Sequence, residues 1–229
     1  MKSTVTTGLT DKNGRLLAVA TAGPNDLGYK KTVENSSRLF EKIRSDGESS
    51  GALRSDNNKR GLFSALHCGL SFGGGQILPK TLDHSSRAQR LVDELLESID
   101  VRRLAGFQSS LLPLYAPNMC GYIEEDLARL YRDNPSLKPN FPGTSYFPAC
   151  TFNLGPIACT ADHVDAMNVP WGWCAITALG IFDHKQGGHL VLYSLGVALE
   201  LPPGSTVLIP SAIIRHVPGW RSSSLGQRR

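Results

Sequence analysis

The chain lacks any run of 18 or more apolar residues, although 41% of its 229 residues are hydrophobic, so no segment reads as a membrane span. Its first residues, Met1-Lys2-Ser3-Thr4-Val5-Thr6-Thr7, hold no apolar signal core, and an intracellular protein is expected, with the nucleus a compatible compartment. Cysteine is sparse and spaced without pattern. Cys68, Cys120, Cys150, Cys159 and Cys174 are odd in number and form no CxxC pair, which excludes zinc-ribbon and thioredoxin motifs and points to free thiols. The run Gly73-Gly74-Gly75 has neither a following Gly-Lys-Ser/Thr nor GxGxxG spacing, so it is not a phosphate cradle. No GxSxG elbow exists, which removes a serine-hydrolase reading. Acidic residues are missing after position 214, where Arg215, Arg221, Arg228 and Arg229 lie. Residues 1–214 carry 20 basic and 20 acidic side chains, so the net charge of +4 belongs to the tail, the body is neutral, and the overall charge says little about nucleic-acid binding.

What is present divides the chain into two textures. Residues 4–22 predict a hairpin around Asn13-Gly14, residues 30–44 a helix, and the polar stretch 45–60 an exposed loop. Residues 61–78 predict a strand followed by a glycine-rich turn. Residues 85–133 predict three helices, the first capped by Ser85 or Ser86, the others over about 101–115 and 121–132. After a Pro-rich connector, segments 151–160, 171–182, 189–201 and 205–214 are rich in Val, Ile, Leu, Phe and Thr with Gly/Pro turns between them. Short strands at regular spacing predict a barrel or sandwich, here backed by a helical layer from the N-terminal half, an α+β fold.

The β half contains Asp162-His163-Val164-Asp165. On a strand, positions i and i+2 share a face about 7 Å apart, so His163 and Asp165 can converge on one ion. A third donor is offered by His216, after the apolar run Ser205-Thr206-Val207-Leu208-Ile209-Pro210. Two imidazoles and one carboxylate leave coordination positions open, the arrangement of non-haem iron(II) oxygenases. His-x-Asp alone is a short pattern that also occurs as a plain surface pair at a strand end. The β-rich surroundings and the later His216 favour the metal. His184 and His189 flank a turn, His67 and Cys68 sit in a strand expected to pack, and His84 precedes a helix; none of these suggests a ligand. Gln76 and Asn153 are polar candidates for the site, with turn or strand-end hydrogen bonding as the plainer role.

Residues 61–216 resemble the TET/JBP-like 2-oxoglutarate- and iron(II)-dependent dioxygenases, in the form found in mushroom-forming fungi. The resemblance rests on Gly69-Leu70-Ser71-Phe72-Gly73-Gly74-Gly75-Gln76, on Leu104-Ala105-Gly106-Phe107-Gln108-Ser109-Ser110, and on the run from Ala149 to His216. Within that run the carrying segments are Asp162-His163-Val164-Asp165, Gly172 to Gly180, Gly187 to Leu192 and Pro202 to Ser211. It implies a double-stranded β-helix (jelly-roll) core and iron(II) held by His163, Asp165 and His216. The implied chemistry is oxidative decarboxylation of 2-oxoglutarate to succinate and carbon dioxide, coupled to hydroxylation of a C–H bond. Relatives oxidise the methyl group of 5-methylcytosine or thymine in DNA, which implies a nucleic-acid substrate and base flipping.

In this family an Arg about ten residues beyond the distal histidine, on a further strand, pairs with the far carboxylate of 2-oxoglutarate. Here Val217 to Arg229 reads as a Ser/Gly/Arg-rich disordered tail, with Arg221 arriving early and Arg228 near the end. The expected layout is one dioxygenase-like domain over 1–216, with helical support over 28–135, a β core mainly over 149–216 plus the N-terminal strands, and a tail over 217–229. The C-terminus reads as truncated, which would leave a barrel edge uncovered and impair 2-oxoglutarate binding. Two other readings stay open: a non-catalytic jelly-roll module that binds metal or a partner, and a DNA-associated accessory protein using the Arg-rich tail.

Overall fold

The structure, a computed structural model, describes residues 6–55, 61–73 and 75–221. Helices occupy most of the first half and antiparallel strands most of the second. The chain opens with β1 (Thr7–Thr10) and β2 (Leu16–Thr21), paired antiparallel. Their connection is not the two-residue primed turn that Asn13-Gly14 suggests. Asp11 caps a longer loop, its carboxylate accepting from the amides of Asn13 and Arg15 at 2.8 Å each. Gly14 has φ +78° and, among the described residues, no non-glycine residue has positive φ, whereas a type I′ turn needs two such residues in a row. Residues 4 and 5 of the expected hairpin lie outside the described residues.

Helix α1 (Leu27–Ser49) starts at Asp26, whose carboxylate accepts from the Tyr29 amide at 2.7 Å. It runs through part of the stretch expected to be a loop from residue 45. The polar residues there belong to an exposed helix face rather than to a break. Arg44 bridges Glu41 at 2.6 Å and Glu48 at 3.3 Å, and Gly47 is buried where Leu53 folds back onto the helix. Strand β3 (Ser64–Ser71) follows, then β4 (Lys80–Thr81). The helical block contains α2 (Ser86–Glu97), capped by Ser85, α3 (Ile99–Tyr115), capped by Ser98, and α4 (Pro117–Asp133), which has Pro117 at its first position.

The second half supplies β5 (Ala149–Gly155), β6 (Cys174–Thr177), β7 (Gly187–Leu192), β8 (Val197–Leu199) and β9 (Thr206–Ile209). The last described element is β10 (His216–Arg221). Three sheets result, ordered β1-β2-β9-β6, β10-β7-β8 and β4-β3-β5. The strand β10 corrects the expectation that the chain becomes a disordered tail after His216. It pairs antiparallel with β7, His216 opposite Leu192 and Arg221 opposite Gly187, and so covers the edge expected to be open. The register shifts around Trp220, and the sequence there contains Pro218 and Gly219. Proline is tolerated on an outer strand of a sheet, where an absent N–H breaks no ladder. Residues 222–229 of the expected tail lie outside the described residues.

In the sheet β1-β2-β9-β6 the central strands β2 and β9 are buried on both faces, and alternation along them shows how. Ala18 and Ala20 of β2 and Val207 and Ile209 of β9 pack with Leu190, Leu192 and Leu199 of the second sheet. Val19 and Leu208, pointing the other way, pack with Leu111 and Leu112 of α3. This explains why Thr206-Val207-Leu208-Ile209 reads as a continuous apolar run rather than an alternating one. A separate core joins α1, α2 and α3 to β3 and β5 through Ile43, Leu91, Leu95, Leu66, Phe152 and Leu154.

Candidate metal centre

His163 and Asp165 lie in the irregular stretch between β5 and β6, not on a regular strand as their i, i+2 spacing suggested. What aligns them is pairing with segments that follow β9. His163 and His216 form an isolated antiparallel bridge: the His216 amide donates to the His163 carbonyl at 3.0 Å, and the His163 amide to the His216 carbonyl at 3.3 Å. Two residues on, the Asp165 amide donates to the Ser211 carbonyl at 2.9 Å. Asn168 completes this corner, its amide donating to the Asp165 carbonyl at 2.8 Å and its side chain to the Ser211 hydroxyl at 3.0 Å. His216 opens β10 rather than closing β9.

The geometry brings the three residues together. One ligand atom from each of His163, Asp165 and His216 lies within 4.8 Å of the others. His163 Nε2 is 3.7 Å from Asp165 Oδ1, and the imidazole centroids are 4.5 Å apart. His216 is buried at 2% exposure, while His163 and Asp165 are half-buried. Each ring is oriented from behind. His163 Nδ1 lies 2.8 Å from the Ala161 carbonyl and His216 Nδ1 lies 2.9 Å from the Ile214 carbonyl. A carbonyl only accepts, so each Nδ1 is the donor, which in the neutral tautomer leaves Nε2 as the acceptor. A backbone carbonyl behind a histidine is the usual outer support of a metal-ligating imidazole, and two such nitrogens with one carboxylate match the donor set of an iron(II) site. The residues present therefore fit the ion.

The neighbouring carboxylate, Asp162, is engaged elsewhere. Arg215 donates to it from both Nε and Nη2, the first contact at 3.3 Å. That hydrogen bond holds the Asp162 carboxyl below the usual carboxylate range. The pair joins the residue before His163 to the residue before His216. Arg215 also lies over the Tyr193 ring, 5.8 Å from its centroid.

The three residues face a cavity of about 1190 Å³ running between the helical layer and the sheets. Its wall includes Gln108, Asn153, Thr160 and Thr177. Gln108 donates to the Thr177 hydroxyl at 2.8 Å, and Thr177 is 2.7 Å from the fully buried Thr206 hydroxyl. Thr160 is 6% exposed, and its hydroxyl has no hydrogen-bond partner among the described residues. Sequence reasoning gave Thr160 and Thr177 no role, and no local pattern marks a buried hydroxyl without a hydrogen-bond partner such as that of Thr160. Gln76 is elsewhere; its side chain accepts from Ser71 in the turn after β3 at 3.1 Å. Of the other histidines, His67 meets Thr151 at 3.0 Å on an exposed face, and His184 lies 3.9 Å from Glu200. The side chain of Arg221 is outside what the structure describes; its backbone pairs with Gly187, which lines the cavity.

The fold and these residues define a mixed helix and antiparallel-sheet protein with two histidines and a carboxylate converging at a cavity. Among solved structures, the chain is similar to NgTET1 in complex with 5mC DNA, at 16% identity and a TM-score of 0.62, covering 94% of this chain and 73% of that one. At that identity the likeness is one of fold. No family model and no curated protein matches the sequence.

Proposed function

We propose that this protein is an iron(II)- and 2-oxoglutarate-dependent dioxygenase on a double-stranded β-helix, acting on a methylated nucleobase in DNA. His163, Asp165 and His216 are its iron ligands and Arg221 the partner of the far carboxylate of 2-oxoglutarate. The observation that carries the reading is the convergence of one ligand atom from each of two imidazoles and one carboxylate within 4.8 Å, both rings held by carbonyls at Nδ1. The similarity to NgTET1, solved with 5mC DNA, and the sequence resemblance support the substrate class. Iron(II) with bound 2-oxoglutarate and oxygen would supply the oxidation of a C–H bond, with succinate and carbon dioxide as co-products.

The chain's own groups then have defined tasks. The Ala161 and Ile214 carbonyls fix the tautomer and tilt of the ligand rings. Arg215 occupies Asp162, so that Asp165 is the carboxylate offered to the ion. The cavity is large enough for a co-substrate and a base, and Gln108, Asn153 and Thr160 give its apolar wall points of polar contact. Anaerobic addition of iron(II) and then 2-oxoglutarate tests the reading. A visible charge-transfer band, followed in air by succinate release in step with oxidation of a 5-methylcytosine oligonucleotide, is expected. Stoichiometric iron with no band and no succinate would leave a metal-binding module instead.

A further inference from the structure

Strands β3 and β5 face each other in antiparallel register, with Cys68 directly opposite Cys150. Their sulfurs are 3.2 Å apart, and one thiol donates to the other. Directly opposed residues on antiparallel strands have Cα atoms about 4.5–5.5 Å apart, inside the span of about 4.4–6.8 Å that a disulfide bridges. Both residues also line the cavity described above, Cys68 buried and Cys150 half-buried. A small solute in that cavity therefore meets a preformed pair of thiols. Cys120, Cys159 and Cys174 lie outside this pair of strands.

We infer that Cys68 and Cys150 form a thiol modification site, which peroxide-class oxidants convert to a cross-strand disulfide in the cavity wall. The surroundings assign the roles. Cys150 shares the hydrogen bond with Cys68 and accepts from the Asn140 side chain at 3.8 Å, and these bonds pull its ionisation below the ordinary thiol range. The shared hydrogen bond and burial push Cys68 well above that range. Cys150, the more accessible of the two and the one the Asn140 side chain contacts, is thus the attacking thiolate. Its sulfur displaces hydroxide from the peroxide O–O bond and becomes a sulfenic acid, and that hydroxide takes up the proton Cys150 released. The Cys68 sulfur then attacks the Cys150 sulfur, and the departing hydroxide leaves as water with the Cys68 proton. Both sulfurs are oxidised, the peroxide is reduced, and the products are one disulfide and water.

The test uses the full chain without added metal, so it stands or falls apart from the dioxygenase reading. After limiting hydrogen peroxide, intact mass should fall by two hydrogen atoms, and subsequent alkylation should label three of the five cysteines rather than all five. Peptide mapping should join the segments around residues 68 and 150, and dithiothreitol should restore both thiols. Cys150→Ser should abolish the crosslink and leave Cys68 alkylated. Cys68→Ser should strand Cys150 as a sulfenic acid that dimedone traps. Full alkylation of Cys68 and Cys150 while exposed Cys159 is oxidised would overturn the site, as would irreversible oxidation of Cys150 with no crosslink. Should the serine variants fail to fold, the wild-type peptide map decides alone.

Discussion

A histidine becomes a good iron ligand when something else has already chosen its tautomer. At His163 and His216 that choice is made by the Ala161 and Ile214 carbonyls, two residues upstream in each case. Losing an outer support of this kind weakens metal binding by about 10–100-fold, and losing the ligand itself should cost more. His163→Ala and Asp165→Ala are each expected to abolish stoichiometric iron binding, read by metal analysis after desalting, with the far-ultraviolet circular dichroism unchanged. Thr160 gives a contrasting expectation. Its buried hydroxyl has no protein partner among the described residues, a state that costs about 1–3 kcal/mol. Thr160→Val should leave stability in urea unchanged or raise it by about 1 kcal/mol, while weakening 2-oxoglutarate or substrate binding. That His163, Asp165 and His216 could meet was legible from their residue types, whereas the bridge that aligns them joins segments far apart in the chain and has no local signal. Thr160 was not legible, because only the packing around it shows that its hydroxyl lacks a partner.

Elements were legible where one periodicity ran unbroken and obscure where tertiary contacts overrode local signals. Helix α1 extends to Ser49 because Arg44, Glu48 and the packing of Leu53 against Gly47 sustain a segment whose composition suggested a loop. Strand β10 was hidden because its sequence contains Pro218 and Gly219, which an outer strand with shifted register accommodates. Glycine substitutions test the element boundaries. Gly69 has φ +105°, and a Cβ there would sit 2.2 Å from the Pro148 carbonyl oxygen, a backbone atom that cannot move without unpairing β5. Gly69→Ala should cost more than about 3 kcal/mol in urea unfolding. Gly51, at φ +68°, has nothing within 4 Å of its Cβ position. Gly51→Ala should therefore show backbone strain alone, about 1 kcal/mol.

For the molecule as a whole, the α+β division could be read from the change of texture near residue 150, but not the packing order of its layers. That order depends on which face of β2 and β9 meets α3, a relation between segments far apart in sequence. Tyr29 is one of the ties between layers: its hydroxyl donates to the Gly204 carbonyl at 3.0 Å and its ring meets Phe107 edge-on. Burial pushes its ionisation up from 10.0 to about 12. Between those values the folded chain holds a proton that the unfolded chain has lost. The contribution, about 2–3 kcal/mol, is therefore complete below pH 10 and disappears as pH rises through 12. Chemical denaturation of wild type against Tyr29→Phe over that range should show a steeper alkaline loss of stability for the wild type. Equal slopes would mean the phenol ionises in place without disturbing the fold.

The bridge between His163 and His216 has a kinetic consequence as well. Each residue's amide is bonded to the other's carbonyl, and the candidate ligands lie 53 residues apart in the chain, as do the flanking partners Asp162 and Arg215. An ion held at this point would close a loop and bias the local opening of β10, leaving β3 and β5 to open on their own terms. In hydrogen exchange, the amides of His163, Asp165 and His216 should slow on iron loading in proportion to free metal, while those of Leu66 and Phe152 keep their rates. The ion would act there as a latch on one corner, and exchange would report its occupancy even where no turnover occurs.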